Sequence, residues 1–328
     1  MNLLFIDYII IFLIVACVIY NIRDVLRDKK TQKMSRLSFG DGIFIYYNQY
    51  VGDNKLTIFD SSQNISGQVS IPSVVKYKGR PYTVTKIMSA FEGRGDINSV
   101  VMPAGVLEIG ANSFKDCTAL SQVELPPDLN IMGEECFAGC VSLKAISLPD
   151  SLRIIGQRAF QGCESLTSVM IPRDVTEIGF CAFASCKSLS AIDVAEGNAI
   201  FSSLDGVLFN KEKTELIQFP SNSPLTEYTI PATVTTISVF AFSGCSQLQS
   251  VTIPESVVSI EKSTIFNGCT SLRDIYFRSS LPPYIYSHES EHVFAEGQCT
   301  LHVPQGSVDA YKSHPAWRKF KDVVAMEK

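Results

Sequence analysis

Charge is scarce in this chain. Asp, Glu, Lys and Arg make up only 19% of 328 residues, with a net charge of −5. A nucleic-acid partner would need a basic stripe to neutralise phosphates, and none runs through the bulk of the sequence. Histidine is limited to four residues and tryptophan to one. The G-x-x-x-x-G-K-S/T phosphate loop and the G-x-S-x-G nucleophile elbow are both missing, which removes the commonest routes to phosphoryl and acyl chemistry. No cofactor is expected. Disorder is excluded as well, because 46% of the residues are hydrophobic.

What is present in abundance is a period. Prolines recur at Pro103, Pro126, Pro149 and Pro172, and again at Pro231 and Pro254. Cys117, Cys140, Cys163, Cys186 and Cys245 keep the same step, with Cys269 one residue late. Phe114, Phe137, Phe160, Phe183, Phe242 and Phe266 follow. Three residue types holding one spacing at fixed offsets define a repeat of about 23 residues, hence a solenoid.

The unit from Leu143 to Leu166 shows how a coil is built. Leu143, Ile146 and Leu148 face inward and Ser147 outward, a short strand with one buried face. Pro149 ends the strand because it has no N–H to donate. Leu152 and Ile155 predict a second extended stretch on the opposite wall. Gly156 is expected at a turn with positive φ. Ala159, Phe160 and Cys163 then fill the interior from a tight helical or 3₁₀ turn. Such a unit buries nothing alone, so the coils must stack about 4.8 Å apart. The column cysteines read as buried, reduced thiols, since metal sites need ligands converging on a point. Cys136 and Cys181 lie off the column, and the disulfide state of these two and of Cys299 is left open.

This pattern resembles the bacterial BspA-like leucine-rich-repeat family, the short-repeat class of treponemal surface proteins. Its strand, proline, Val-x-x-Ile-Gly, Ala-Phe and Gly-Cys-x-x-Leu elements are met by Val169 to Ile178 with Gly179, and by Ala159-Phe160 with Gly162-Cys163. Val251 to Ile260 keeps the strand and proline, but Glu261 stands in place of the turn glycine, as Ser238 does one unit earlier. The resemblance spans residues 65 to 328. It implies an α/β repeat solenoid, a β-rich leucine-rich-repeat stack with short helical or 3₁₀ turns, preceded here by an N-terminal membrane segment. It also implies a non-catalytic role in adhesion to host or neighbouring-cell proteins.

The membrane segment is read from Tyr8 to Tyr20, an unbroken apolar run long enough to enter a bilayer. Residues 1–22 are expected to act as an anchor, with residues 3–20 in the membrane, or as a lipoprotein-type signal. In the second case Ile14-Val15-Ala16-Cys17 serves as the lipobox and Cys17 is lipidated. Arg23, Arg27, Lys29, Lys30, Lys33 and Arg36 follow the run, which by the positive-inside rule would hold the remainder in the cytoplasm. The family resemblance places it outside the cell.

The expected organisation continues with a basic linker over 23–40. A β-rich cap and entry repeat follow over 41–91, then leucine-rich repeats over 92–298. The 59-residue gap between Pro172 and Pro231 implies an insert at about 195–228. There Val207-Leu208-Phe209 and Leu216-Ile217-Gln218-Phe219 flank a charged turn and read as a projecting β-hairpin. Residues 299–328 read as a strand–helix cap in which Ser307 is the N-cap and Tyr311, Trp317 and Phe320 seal the last coil.

Two candidate sites emerge. Outward positions of the first strand, Val101, Glu124, Ser147, Met170, Asp193, Thr252 and Tyr276, would form a row suited to a protein or glycan ligand. The hairpin tip at Lys211–Lys213 is the competing contact surface. The rival chemistry is His288-Glu289-Ser290-Glu291-His292, which matches the H-E-x-x-H zinc-peptidase motif. It follows Leu281-Pro282-Pro283, and Ala295 and Gln298 stand where a metzincin needs Gly and His, so no metal is assigned and His288 and His292 remain the alternative. The expected function is therefore macromolecular recognition at the cell surface, with a zinc peptidase or a purely structural envelope protein as alternatives.

Overall fold

A computed structural model describes residues 35–39, 43–49, 54–61, 65–77, 79–260, 265–285, 299–315, 317, 320 and 322–326. The predicted membrane segment, Cys17 and the His288–His292 motif lie outside the described residues. Among those described, no helix is long and apolar enough to cross a membrane.

Each coil has three walls. The first carries the predicted strand, as in Ile97–Val101, Ser168–Ile171 and Asp274–Phe277, with parallel partners a coil away. The second is a ladder of two-residue strands, Glu108–Ile109, Ile131–Met132, Ile154–Ile155 and Glu177–Ile178, again parallel. Ile109, Met132 and Ile155 point inward and are fully buried. Before the first coil, Ser35–Phe39, Ile43–Gln49 and Lys55–Ser61 form an antiparallel meander. Its last strand pairs in parallel with Arg80–Ile87, the entry to the second wall. Ser35–Phe39 falls in the stretch read as a linker.

The third wall corrects the expected α/β class: the fold is a β-solenoid with almost no helix. Along this wall the N–H groups of Arg158, Phe160 and Gly162 bond forward to Phe180, Ala182 and Ala184 of the next coil. The alternate N–H groups, of Ala159, Gln161 and Cys163, bond back three residues within their own coil. Half of the donors are thus committed between coils, and no run of consecutive helical bonds can form. The one helix among the described residues is Val308–Ser313 at the C-terminal end.

Gly156 also differs from expectation. The left-handed residue is Arg158, with φ of 54°, in a column shared by Asn112 at 56° and Glu135 at 52°. Gly156 is required for a different reason: a Cβ there would sit 2.5 Å from the backbone carbon of Gly133 in the coil below. Gly179 repeats this against Gln157 and Gly156. The glycine column is what lets two coils touch backbone to backbone at that corner.

The interior is a stack of like on like. Phe91, Phe114, Phe137, Phe160 and Phe183 lie face to face, with centroids 5.0, 5.2, 5.7 and 5.6 Å apart and planes within 7°. A second stack runs through Phe219, Phe242 and Phe266 at 5.1 Å spacing and 26–30° tilt. Between the two stacks lies the insert, which does not project. Phe201–Leu204, Val207–Asn210 and Glu215–Gln218 form an antiparallel meander whose last strand pairs in parallel with Thr236–Ile237 and so re-enters the second wall. Val207, Leu208 and Phe209 are fully buried, Leu208 in the first apolar core and its two neighbours in the second. The strand is a wedge between two half-solenoids.

At the far end the predicted aromatic seal is present. Trp317 meets Phe277 edge-on at 4.7 Å and stacks on Phe320 at 6.0 Å. The Tyr311 hydroxyl donates to the carbonyls of Ser279 and Leu281, at 3.1 Å each. Ser307 occupies the N-cap, but its side chain makes no capping bond.

Candidate functional site

The strand-face residues were expected in one continuous row, and the structure divides them among three ladders. Val101 pairs with Glu124 and, on its other side, with Ser70. Ser147 is exposed but lies in no strand. Met170 pairs with Asp193. Beyond the insert, Thr252 and Tyr276 are joined by Thr229 on one side and by His302 on the other. Val324 ends this row beside His302.

His302 is the residue that sequence spacing missed. It lies 26 positions after Tyr276, because a longer connection intervenes, so counting by the repeat passes it over. Its ring stacks on Tyr276 with centroids 4.4 Å apart and planes 18° from parallel. His302 Nε2 lies 2.7 Å from Asp274 Oδ1. The result is a rigid aromatic pair, half-buried, with a carboxylate at its side. On the first half the prominent feature is Met170, 55% exposed at the centre of its strand. The hairpin tip is more constrained than its charge suggests. Asn210 Oδ1 accepts from the backbone N–H groups of Thr214 and Glu215, and Lys211 Nζ donates to the Asn198 carbonyl at 2.6 Å.

Inside the stack the cysteine column forms a regular series of polar contacts, alongside single buried groups such as Ser113 and Asn198. Each thiol donates to a carbonyl one coil back: Cys117 to Phe91 at 3.0 Å, Cys140 to Phe114 at 3.1 Å and Cys186 to Phe160 at 3.1 Å. Burial pushes these thiols up, Cys117 and Cys186 to about 12 and Cys299 to about 11. A protonated, enclosed thiol is a poor nucleophile and a poor metal ligand. No disulfide joins the described cysteines. On the surface, Lys115 at 2.5 Å and Arg158 at 3.4 Å flank Glu135. The Lys115 hydrogen bond holds its carboxyl below the ordinary value. Such exposed ion pairs tie adjacent coils together and contribute little each.

These features define the class: a leucine-rich-repeat β-solenoid with strand residues turned outward along three ladders. A family model for the BspA-type leucine-rich-repeat region, in six copies, matches residues 86–214 and 217–293. The chain belongs to that family. A comparison with curated proteins returned no match. Among solved structures it is similar to the pneumococcal vaccine antigen PcpA, with a TM-score of 0.55 at 19% identity over 90% of this chain and 99% of that one. It is also similar to a leucine-rich-repeat protein from Bacteroides ovatus, with a TM-score of 0.50 at 21% identity over 86% and 89% of the two chains. A third, from Eubacterium ventriosum, has a TM-score of 0.51 at 19% identity over 89% and 84%. At these identities the likeness is one of fold.

Proposed function

We propose that this protein is a non-catalytic recognition module that binds protein or glycan partners, in an adhesive role at the cell surface, through its strand face. The proposed contacts are Val101, Glu124, Ser147, Met170, Asp193, Thr252 and Tyr276, to which the fold adds His302. The observation that carries this reading is the exposure of Met170 together with the Tyr276–His302 stack. Rigid aromatic anchors are what binding surfaces concentrate, and an exposed thioether adds an adaptable apolar contact. Membership of a repeat family that presents extended surfaces supports it. In this reading residues 3–20 hold the solenoid at the membrane, with Cys17 the lipidated position if the segment is processed.

The test is the Met170→Glu, Tyr276→Glu double variant, assayed for binding to cells with the full chain. Both side chains reach solvent, so the fold survives and binding falls about tenfold or more. Wild-type binding by a folded variant rules out the strand face. Protease shaving of intact cells tests the placement: the repeats are digested without lysis if they face outward.

A further inference from the structure

The insert leaves a defect in the stack, and its hydrogen-bonding pattern shows what would fit there. In every earlier coil of this half, the carbonyls of the second wall accept from the coil above. Arg153 O accepts from Thr176 N at 2.9 Å, and Ile155 O accepts from Gly179 N at 2.8 Å. One coil later the equivalent carbonyls, of Thr176 and Ile178, receive no hydrogen bond among the described residues, and Glu177–Ile178 ends its sheet. The third wall loses its regular pairing at the same coil, although Phe183 and Ala184 stay buried. Phe160 N donates to Ala182 O and Gly162 N to Ala184 O, but the equivalent N–H groups of Phe183 and Ser185 meet no acceptor among the described residues.

Burial changes with the ladder. Ile109, Met132 and Ile155 are fully buried, whereas Ile178 in the same column is partly open, and Phe180 beside it is 61% exposed. A cleft of about 130 Å³ opens here, its apolar walls Ile178, Phe180, Phe183, Phe201, Leu208 and Ile217, with the polar Glu215, Gln218 and Ser238 also lining it. That volume is roughly benzene-sized, enough for one apolar side chain and too small for a cofactor.

We infer that this broken coil edge is a docking site for an extended peptide segment of a protein partner, which adds the missing strand. The guest runs parallel to Glu177–Ile178, donating two N–H groups three residues apart to Thr176 O and Ile178 O. Between those donors it sets one branched apolar side chain into the cleft, as Ile178 itself covers Ile155. Unpaired backbone groups beside an apolar cleft are costly to leave unmade, and strand addition satisfies both at once. A small ligand would fill the cleft and leave the carbonyls bare, so the peptide is the occupant the pattern specifies. This surface is separate from the strand face.

The probe is the synthetic octapeptide with the sequence of residues 174–181, carrying Cys181→Ser, because that segment already supplies this pairing to the coil below. Its binding to the full chain is followed by fluorescence anisotropy. Saturable binding is expected up to millimolar peptide. It should weaken about tenfold or more when the peptide is N-methylated at the Thr176 and Gly179 positions. Phe180→Glu in the protein, at an exposed position, should weaken it similarly, and the Met170→Glu, Tyr276→Glu variant should bind the peptide unchanged. Absence of saturable binding, indifference to N-methylation or indifference to Phe180→Glu each overturns the inference. Loss of peptide binding in the strand-face variant overturns the assigned position.

Discussion

The thiol of Cys163 donates to the carbonyl of Phe137, 3.1 Å away in the neighbouring coil. That same carbonyl also accepts the N–H of Cys140 at 3.2 Å. One oxygen therefore closes a turn within its coil and clasps the next coil through sulfur. The cysteine column is a row of hydrogen bonds as well as a row of small side chains.

Replacing Cys163 separates those two roles. Cys163→Ala removes both the donor and some volume and should cost roughly 1–3 kcal/mol. Cys163→Ser keeps a donor and should cost less. Urea midpoints of both variants decide the matter: if serine is the worse replacement, the thiol acts only as an apolar filler.

The glycine column makes a sharper prediction. Gly156→Ala places a Cβ 2.5 Å from backbone that cannot move without parting two coils. Gly162→Ala meets nothing closer than 3.8 Å and pays only for its φ of 72°. The second should cost roughly 1–2 kcal/mol, and the first clearly more, with local fraying of the second wall. Thermal unfolding with both melting temperatures below wild type, and Gly156→Ala the lower, is the expected outcome.

Phe137 stacks against Phe114 and Phe160 on both faces, so truncation leaves a cavity that neither neighbour can fill. Phe137→Ala should lower stability by about 3–5 kcal/mol. Phe180→Ala, at an exposed position one coil edge away, should be nearly silent in the same denaturation experiment.

Alkaline stability follows from the buried thiols. Their pKa values in the folded protein are raised from 9.0 to about 12 at Cys117 and Cys186. The folded state therefore retains protons that the unfolded chain gives up above pH 9. Stability from this source is complete below that pH and declines as pH rises toward 12. Denaturation at stepped pH should show the decline. Thiol labelling should be slow in the folded protein at neutral pH and fast in denaturant.

Much of this was legible in advance because the repeat is a one-dimensional constraint. Phe137, Phe160 and Cys163 had to stack, since identical apolar positions recurring at one period can only be buried by each other. The terminal aromatics Tyr311, Trp317 and Phe320 were readable for the same reason: an open end of such a stack needs a lid. Where the period broke, reading became less secure. Val207-Leu208-Phe209 alternates with nothing, and the assignment to a projecting hairpin missed that an all-apolar strand can be buried on both faces. His302 was hidden by a change in spacing.

The sequence alone determined the coil, its family and the contents of its interior, because side-chain size and period decide what can lie above what. Only the folded arrangement decided that the turns would not be helical, since their donors are claimed by neighbouring coils. It alone decided that Gly156 serves contact where a turn was expected. It also decided that the insert divides the stack, so that among the described residues no coil pairs with the carbonyls of Thr176 and Ile178. Each of these depends on which backbone atoms meet between coils, and composition and spacing carry no record of that.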